Sequence, residues 1–148
     1  MIDIESIVEL YKEMNEVYVN DRGCIRMMLN RETEEVWNDF FVSSEDYKIY
    51  DDESIIAIPV NSIIDDASDH ILTHSEIAEE IVKWIGNELE TWKFKSLLMR
   101  SGMNLKQFSE YFNIPYRTLQ GWKAGERKCP EYLLELMQYK FEKEGIVN

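Results

Sequence analysis

Asn104-Leu105-Lys106-Gln107-Phe108-Ser109-Glu110-Tyr111-Phe112-Asn113-Ile114-Pro115-Tyr116-Arg117-Thr118-Leu119-Gln120-Gly121-Trp122-Lys123-Ala124-Gly125 reads, residue by residue, as two short helices joined by a tight turn. Asn104 is a helix-capping residue, and Gln107 stands three positions on, where its side chain can reach back to the cap. Leu105, Phe108 and Phe112 recur at helical spacing and predict the inner face of the first helix. Ser109 is small where the two helices must approach. Asn113 occupies the turn, where a positive φ is needed and asparagine tolerates it better than most residues. Ile114 then turns inward. Pro115 starts the second helix, where its missing N–H costs nothing, and Leu119 and Trp122 face the core. Gly125 closes that helix.

This arrangement leaves Tyr116, Arg117, Thr118, Gln120 and Lys123 as an outward polar face over residues 115–124. These side chains suit a duplex: Gln pairs with adenine, Arg with guanine, Thr with a thymine methyl or a phosphate. Downstream, the basic loop Glu126-Arg127-Lys128 leads to a closing helix over residues 130–144, with Leu133, Leu134, Met137 and Phe141 inward. Upstream, Phe94, Leu97 and Leu98 supply the first helix of a small bundle.

Residues 105–130 resemble the helix-turn-helix domain of the phage-repressor (Cro/Xre) family. The likeness rests on Leu105, Phe108, Phe112, Ile114, Leu119, Trp122, Gly125 and Arg127, followed by a proline-initiated helix. Residues 114–122 and 127–134 are similar also to a group of short bacterial and mobile-element proteins. Three positions depart from the family pattern: Asn113 for the usual glycine, Pro115 for a capping Ser or Thr, and Lys123 for an acidic residue. Gly121 weakens its helix by up to ~1 kcal/mol relative to alanine, a cost that a close approach to DNA backbone or to another helix would explain. The resemblance implies an all-α, lambda-repressor-like domain over residues 93–148. It also implies a recognition helix in the major groove and a homodimer on a palindromic operator. Asn104, Lys106, Gln107, Lys123, Arg127 and Lys128 would then contact or steer toward phosphates.

The 148-residue chain carries a net charge of −13, which opposes phosphate binding until its distribution is considered. Residues 1–73 hold 18 Asp+Glu against 5 Lys+Arg, whereas residues 74–148 hold 11 of each. Within residues 94–130 seven basic residues face two acidic ones, a local net of +5. A basic island therefore follows an acidic domain. That domain, residues 1–92, is expected to be α+β. Ile4, Ile7, Val8, Tyr11 and Met14 share a helical face after the cap residue Asp3. Residues 17–19 and 24–29 flank Asn20-Asp21-Arg22-Gly23 and predict a hairpin. Residues 33–41 predict a second helix from Val36, Trp37, Phe40 and Phe41, ended by Ser43-Ser44-Glu45-Asp46. Residues 54–60 predict a buried strand ending near Pro59, and residues 61–73 a loop or short helix. Ile77, Ile81, Ile85 and Leu89 then mark a long helix toward Trp92, opened by the capping box Thr73-His74-Ser75-Glu76.

Several chemistries find little support. His70 and His74 lie i, i+4 near Asp66 and Asp69, but no HExxH frames them, and surface histidines are the simpler reading. Asp51-Asp52-Glu53 needs no more than a charged turn. Cys24 and Cys129 lack CxxC spacing and read as packed thiols. Neither GxSxG nor a phosphate-binding loop occurs, so no catalytic role or cofactor is expected. An apolar run long enough for a membrane span is also missing, and the acidic start lacks the n-region of a signal peptide. The expectation is thus a cytoplasmic, DNA-binding repressor, with regulation of its own operon as one role open to it. The alternative is a mobile-element inhibitor of restriction or CRISPR nucleases. In it the acidic domain imitates DNA toward a protein target, with the helix-turn-helix as autorepressor or protein-binding module; in the repressor the same domain serves for dimerisation, sensing or solubility.

Overall fold

The computed structural model describes residues 2–20, 24–41, 50–67 and 72–146. Among these residues it is a mostly helical α+β fold with one three-stranded antiparallel sheet and six helices. Its contacts divide into two compact units, Met1–Gly86 and Asn87–Asn148.

In the first unit, α1 (Ile4–Asn20) begins as its sequence requires, with the Asp3 carboxylate accepting the Ser6 N–H at 2.7 Å. That backbone hydrogen bond holds the Asp3 carboxyl below its ordinary pKa. The sheet, in the order β2-β1-β3, contains β1 (Cys24–Asn30), β2 (Val36–Phe41) and β3 (Ile55–Ala57). Two expectations are corrected here. Residues 17–19 continue α1 and form no strand, so β1 finds its hairpin partner downstream, while residues 21–23 of the supposed turn lie outside the described residues. Residues 36–41 are a strand and not a helix. The turn between them is fixed by Asn30, whose side-chain oxygen accepts the N–H groups of Glu32 and Thr33 at 2.9 and 3.1 Å, with Glu34 at φ 66°.

The register explains why strand wins over helix. Arg26 stands opposite Asp39 and Met28 opposite Trp37, and the Arg26 guanidinium pairs with the Asp39 carboxylate at 3.2 Å. Trp37 Nε1 and the Tyr50 hydroxyl donate to the same carboxylate, at 2.9 and 3.0 Å. On the opposite face Asn38 donates through Nδ2 to the Leu10 carbonyl at 2.9 Å, tying the sheet to α1. Met27, Met28 and Leu29 are buried.

Ile58 donates its N–H to Met27 O, continuing the ladder for one bond beyond β3 before Pro59 ends it. The α2 helix (Val60–Ala67) follows, settling the loop-or-helix alternative for its span. The Ser43–Asp46 cluster and residues 47–49, with Asp69 and His70, lie outside the described residues. The α3 helix (His74–Ser101) opens with the expected box: Glu76 N–H donates to Thr73 Oγ1 at 3.2 Å, and Thr73 N–H to Glu76 Oε1 at 3.0 Å. Ile77, Ala78, Ile81 and Ile85 bury its first half in the first unit's core.

The second unit contains the rest of α3 with α4 (Leu105–Phe112), α5 (Tyr116–Ala124) and α6 (Glu131–Lys143), and is helical throughout. Each helix sends an aromatic ring into one cluster. Phe94 of α3 meets Phe108 of α4 edge-on at 5.4 Å and Trp122 of α5 at 5.5 Å. Phe108 in turn meets Phe141 of α6 at 5.7 Å and Phe112 at 4.8 Å. Among the described residues, no helix is long and apolar enough to cross a membrane.

Phe108 is fully buried at the hub, whereas Phe40 on the edge strand is 54 % exposed. Phe108→Ala is expected to lower unfolding free energy by ~3–5 kcal/mol. Phe40→Ala should stay within ~0.5 kcal/mol of the parent. Urea denaturation followed by circular dichroism checks both, and equal effects would contradict the placement of the hub.

Candidate nucleic-acid interface

The start of α4 is chemically one-sided. Asn104, in extended conformation at φ −79° and ψ 173°, accepts the Gln107 N–H through Oδ1 at 2.8 Å. Gln107 returns the bond, its Oε1 accepting the Asn104 N–H at 2.9 Å. Both acceptors must be carbonyl oxygens, because both partners are backbone donors. The two side-chain NH2 groups are therefore left facing outward as donors. Lys106 is exposed between them, at the positive end of the helix dipole. Everything offered at this helix end is a donor or a cation.

The turn that follows is built on Ser109. Its carbonyl accepts the N–H of Asn113, which takes φ 54° and ψ 45°, and the N–H of Ile114 at 3.1 Å. Its hydroxyl donates to Ile114 O at 2.6 Å. Asn113 thus adopts the left-handed conformation that its position demanded.

Pro115 is the cap residue of α5, one position before the helix proper, at φ −55° and ψ 133°. No side chain caps this end. A Ser or Thr would have supplied an oxygen to the first amides; proline's side chain supplies none, and while Thr118 N–H donates to the Pro115 carbonyl at 3.0 Å, those of Tyr116 and Arg117 stay open to an outside acceptor. Leu119, Gly121 and Trp122 are buried on one side of α5, and Tyr116, Arg117, Gln120 and Lys123 are exposed on the other. At 3.6 residues per turn these four share one face. Thr118 is half-buried and set off from it, so the structure groups four of the five outward candidates and separates the fifth. Acidic side chains are absent from α5.

After Gly125, at φ 79°, the N–H groups of Glu126 and Arg127 both donate to Gly121 O, at 3.0 and 3.1 Å, and fold the basic loop back along α5. Arg127 and Lys128 are both exposed. Lys128 Nζ lies 3.5 Å from Glu90 Oε2 of α3. An exposed pair of this kind contributes at most ~1 kcal/mol and exchanges readily.

The charge division sharpens at the boundary between the units. Residues 1–86 contain 21 Asp+Glu against 6 Lys+Arg, a net of −15, while residues 87–148 contain 8 against 10, a net of +2. Sequence reading missed the open amides at the start of α5, which the replacement of a capping residue by Pro115 signals. The packing of the Arg127 stem against Gly121 was also missed; the sequence had suggested DNA backbone or another helix for a close approach at that glycine.

Of the residues set aside on sequence grounds, Asp52 and His74 lie among the described residues. The Asp52 carboxylate accepts the hydroxyl and N–H of Ser54 at 2.7 and 2.9 Å, and the hydroxyl bond chiefly holds its pKa below the usual value. The His74 ring packs edge-on against Tyr11 at 5.5 Å. Among the described residues, no group of three His, Cys, Asp or Glu is placed to hold a metal ion.

Cys129 is 7 % exposed, and burial raises its pKa to about 11. At pH 8 the thiolate is therefore scarce. In a Cys24→Ser background, Cys129 should resist iodoacetamide at pH 8 in the folded protein and react promptly in urea. Fast labelling of the folded chain, read by mass spectrometry, would contradict this placement.

No protein-family model, curated protein or solved structure matches the chain.

Proposed function

We propose that this protein is a cytoplasmic, sequence-specific DNA-binding regulator, acting as a repressor through a phage-repressor-type helix-turn-helix formed by α4 and α5. The observation that carries this reading is the four-residue polar face of α5, Tyr116, Arg117, Gln120 and Lys123, held outward by the burial of Leu119 and Trp122. In the major groove Arg117 and Gln120 read base edges, and Lys123 reaches a phosphate. The amides of Asn104 and Gln107, with Lys106, serve a phosphate at the start of α4. The open amides of α5 offer the same to a second. One such module covers few base pairs, so a homodimer on half-sites about one helical turn apart completes the site. The excess of carboxylates in residues 1–86 disfavours loose association with any duplex and leaves base-specific contacts to carry affinity.

Selection of bound fragments from a genomic library, followed by footprinting, should yield a palindromic site. Alanine at Arg117 and Gln120 should cost ~1–3 kcal/mol for each lost base contact, with the circular dichroism spectrum unchanged. Identical footprints from the parent and the double variant would end this assignment of the reading residues.

A second reading concerns the acidic unit. Glu5, Glu9, Glu13 and Glu16 are exposed along α1 at spacings of four, four and three residues, a continuous carboxylate row. Such a row can imitate a phosphate strand toward the nucleic-acid channel of a restriction or CRISPR nuclease, with α4 and α5 then serving autorepression. The full chain should in that case inhibit the nuclease in proportion to protein added before DNA. Lysine at Glu9 and Glu13 should relieve inhibition, and inhibition untouched by that reversal would exclude the row.

A further inference from the structure

Gly121 is buried in the middle of a helix, where glycine is among the poorest choices. Its neighbour explains it. A Cβ placed there would lie 3.2 Å from both Cγ and Cδ of Arg127, closer than aliphatic carbons sit without yielding. The missing side chain forms a notch, and the aliphatic stem of Arg127 lies in it. The backbone closes the same contact from below, since Gly121 O accepts the N–H groups of both Glu126 and Arg127. Arg127 is therefore attached to α5 at two levels, through its main chain and through its stem.

The charged end is left available. Among the described residues Arg127 forms no ion pair or side-chain hydrogen bond, whereas neighbouring Lys128 is engaged by Glu90. Gly121 follows Arg117 by four positions, so the seated stem lies next to Arg117 along the edge of the reading face. A guanidinium held there flanks the bases that α5 addresses, at the level of the sugar-phosphate strand. Its planar fork suits two oxygens of one phosphate.

We infer that Gly121 and Arg127 form a phosphate clamp. Gly121 is a positioning residue whose lack of a side chain seats the Arg127 stem against α5, and the guanidinium then grips the DNA backbone beside the recognition helix. This rests on the DNA-binding reading above. It adds that the grip is indifferent to base sequence and depends on the notch.

Binding to a short mixed-sequence duplex, measured by fluorescence anisotropy across salt concentrations, tests the clamp without knowledge of the operator. Arg127→Ala should lower the slope of log affinity against log salt by about 0.9 for each protomer engaged, amounting to about eightfold per protomer at 0.1 M relative to 1 M. Gly121→Ala should shift affinity and slope in the same direction, although its unfolding midpoint equals or exceeds the parent's. In an Arg127→Ala background it should change neither. The ratio of operator to mixed-sequence binding should hold in both single variants, unlike in the Arg117 and Gln120 variants. A Gly121→Ala protein with the parent's affinity and slope overturns the clamp, as does an equal loss when Arg127 is already gone.

The seat is also read without DNA. The heteronuclear NOE of Arg127 Nε–H should fall in Gly121→Ala, and an unchanged NOE overturns the notch. A parent chain that ignores duplex altogether overturns the regulator reading and the grip with it. An ordered Arg127 in that case marks the failure as one of function and not of the seat.

Discussion

The second unit depends on the placement of Phe108. Its ring is fully buried and touches Phe94, Phe112 and Phe141, so three helices meet on one side chain, and α5 joins through the contact of Trp122 with Phe94. Edge-to-face contacts fix ring orientation as well as distance, because the positive edge of one ring is drawn to the negative face of the next. The geometry of α5 follows from that core and from the turn that Ser109 pins. An exposed face is useful for recognition only when its helix cannot roll, and buried Leu119 and Trp122 prevent rolling.

Much of this unit was legible because each local signal had one physical meaning. Asn104 and Gln107 could satisfy each other only as a reciprocal cap, and Asn113 stood where a left-handed residue was needed. The first unit was harder to read, for a reason visible in residues 36–41. Val36, Trp37, Phe40 and Phe41 satisfy a helical spacing, yet the same six residues also alternate about a sheet. What decides between them is the pairing of Arg26 with Asp39 and of Met28 with Trp37, contacts made by a segment about ten residues earlier. Local periodicity contains no information about that partner, and tertiary pairing overrides propensity. The error over residues 17–19 has the same origin, since the β-branched pair Val17 and Val19 favours a strand but the amphipathic run from Ile4 carries the helix through it.

The candidate site was legible as a set of residues and less so as an arrangement. Helical spacing separates Arg117 and Gln120 from Leu119 and Trp122 without any coordinates. Thr118 shows the limit of that reasoning, because a polar residue beside a polar face is not always on it. The glycine in α5 shows another. Its meaning lies six residues away in Arg127, across a turn whose path is set by three amides converging on one carbonyl.

The division of labour within α5 has an evolutionary consequence. Leu119 and Trp122 carry the packing, while the exposed side chains at 116, 117, 120 and 123 contribute little to it. Mutations at those four positions encounter almost no stability threshold, so the chemistry of that face can drift by single substitutions while the scaffold is conserved. Divergent descendants of this chain should keep the aromatic hub and vary along that ridge.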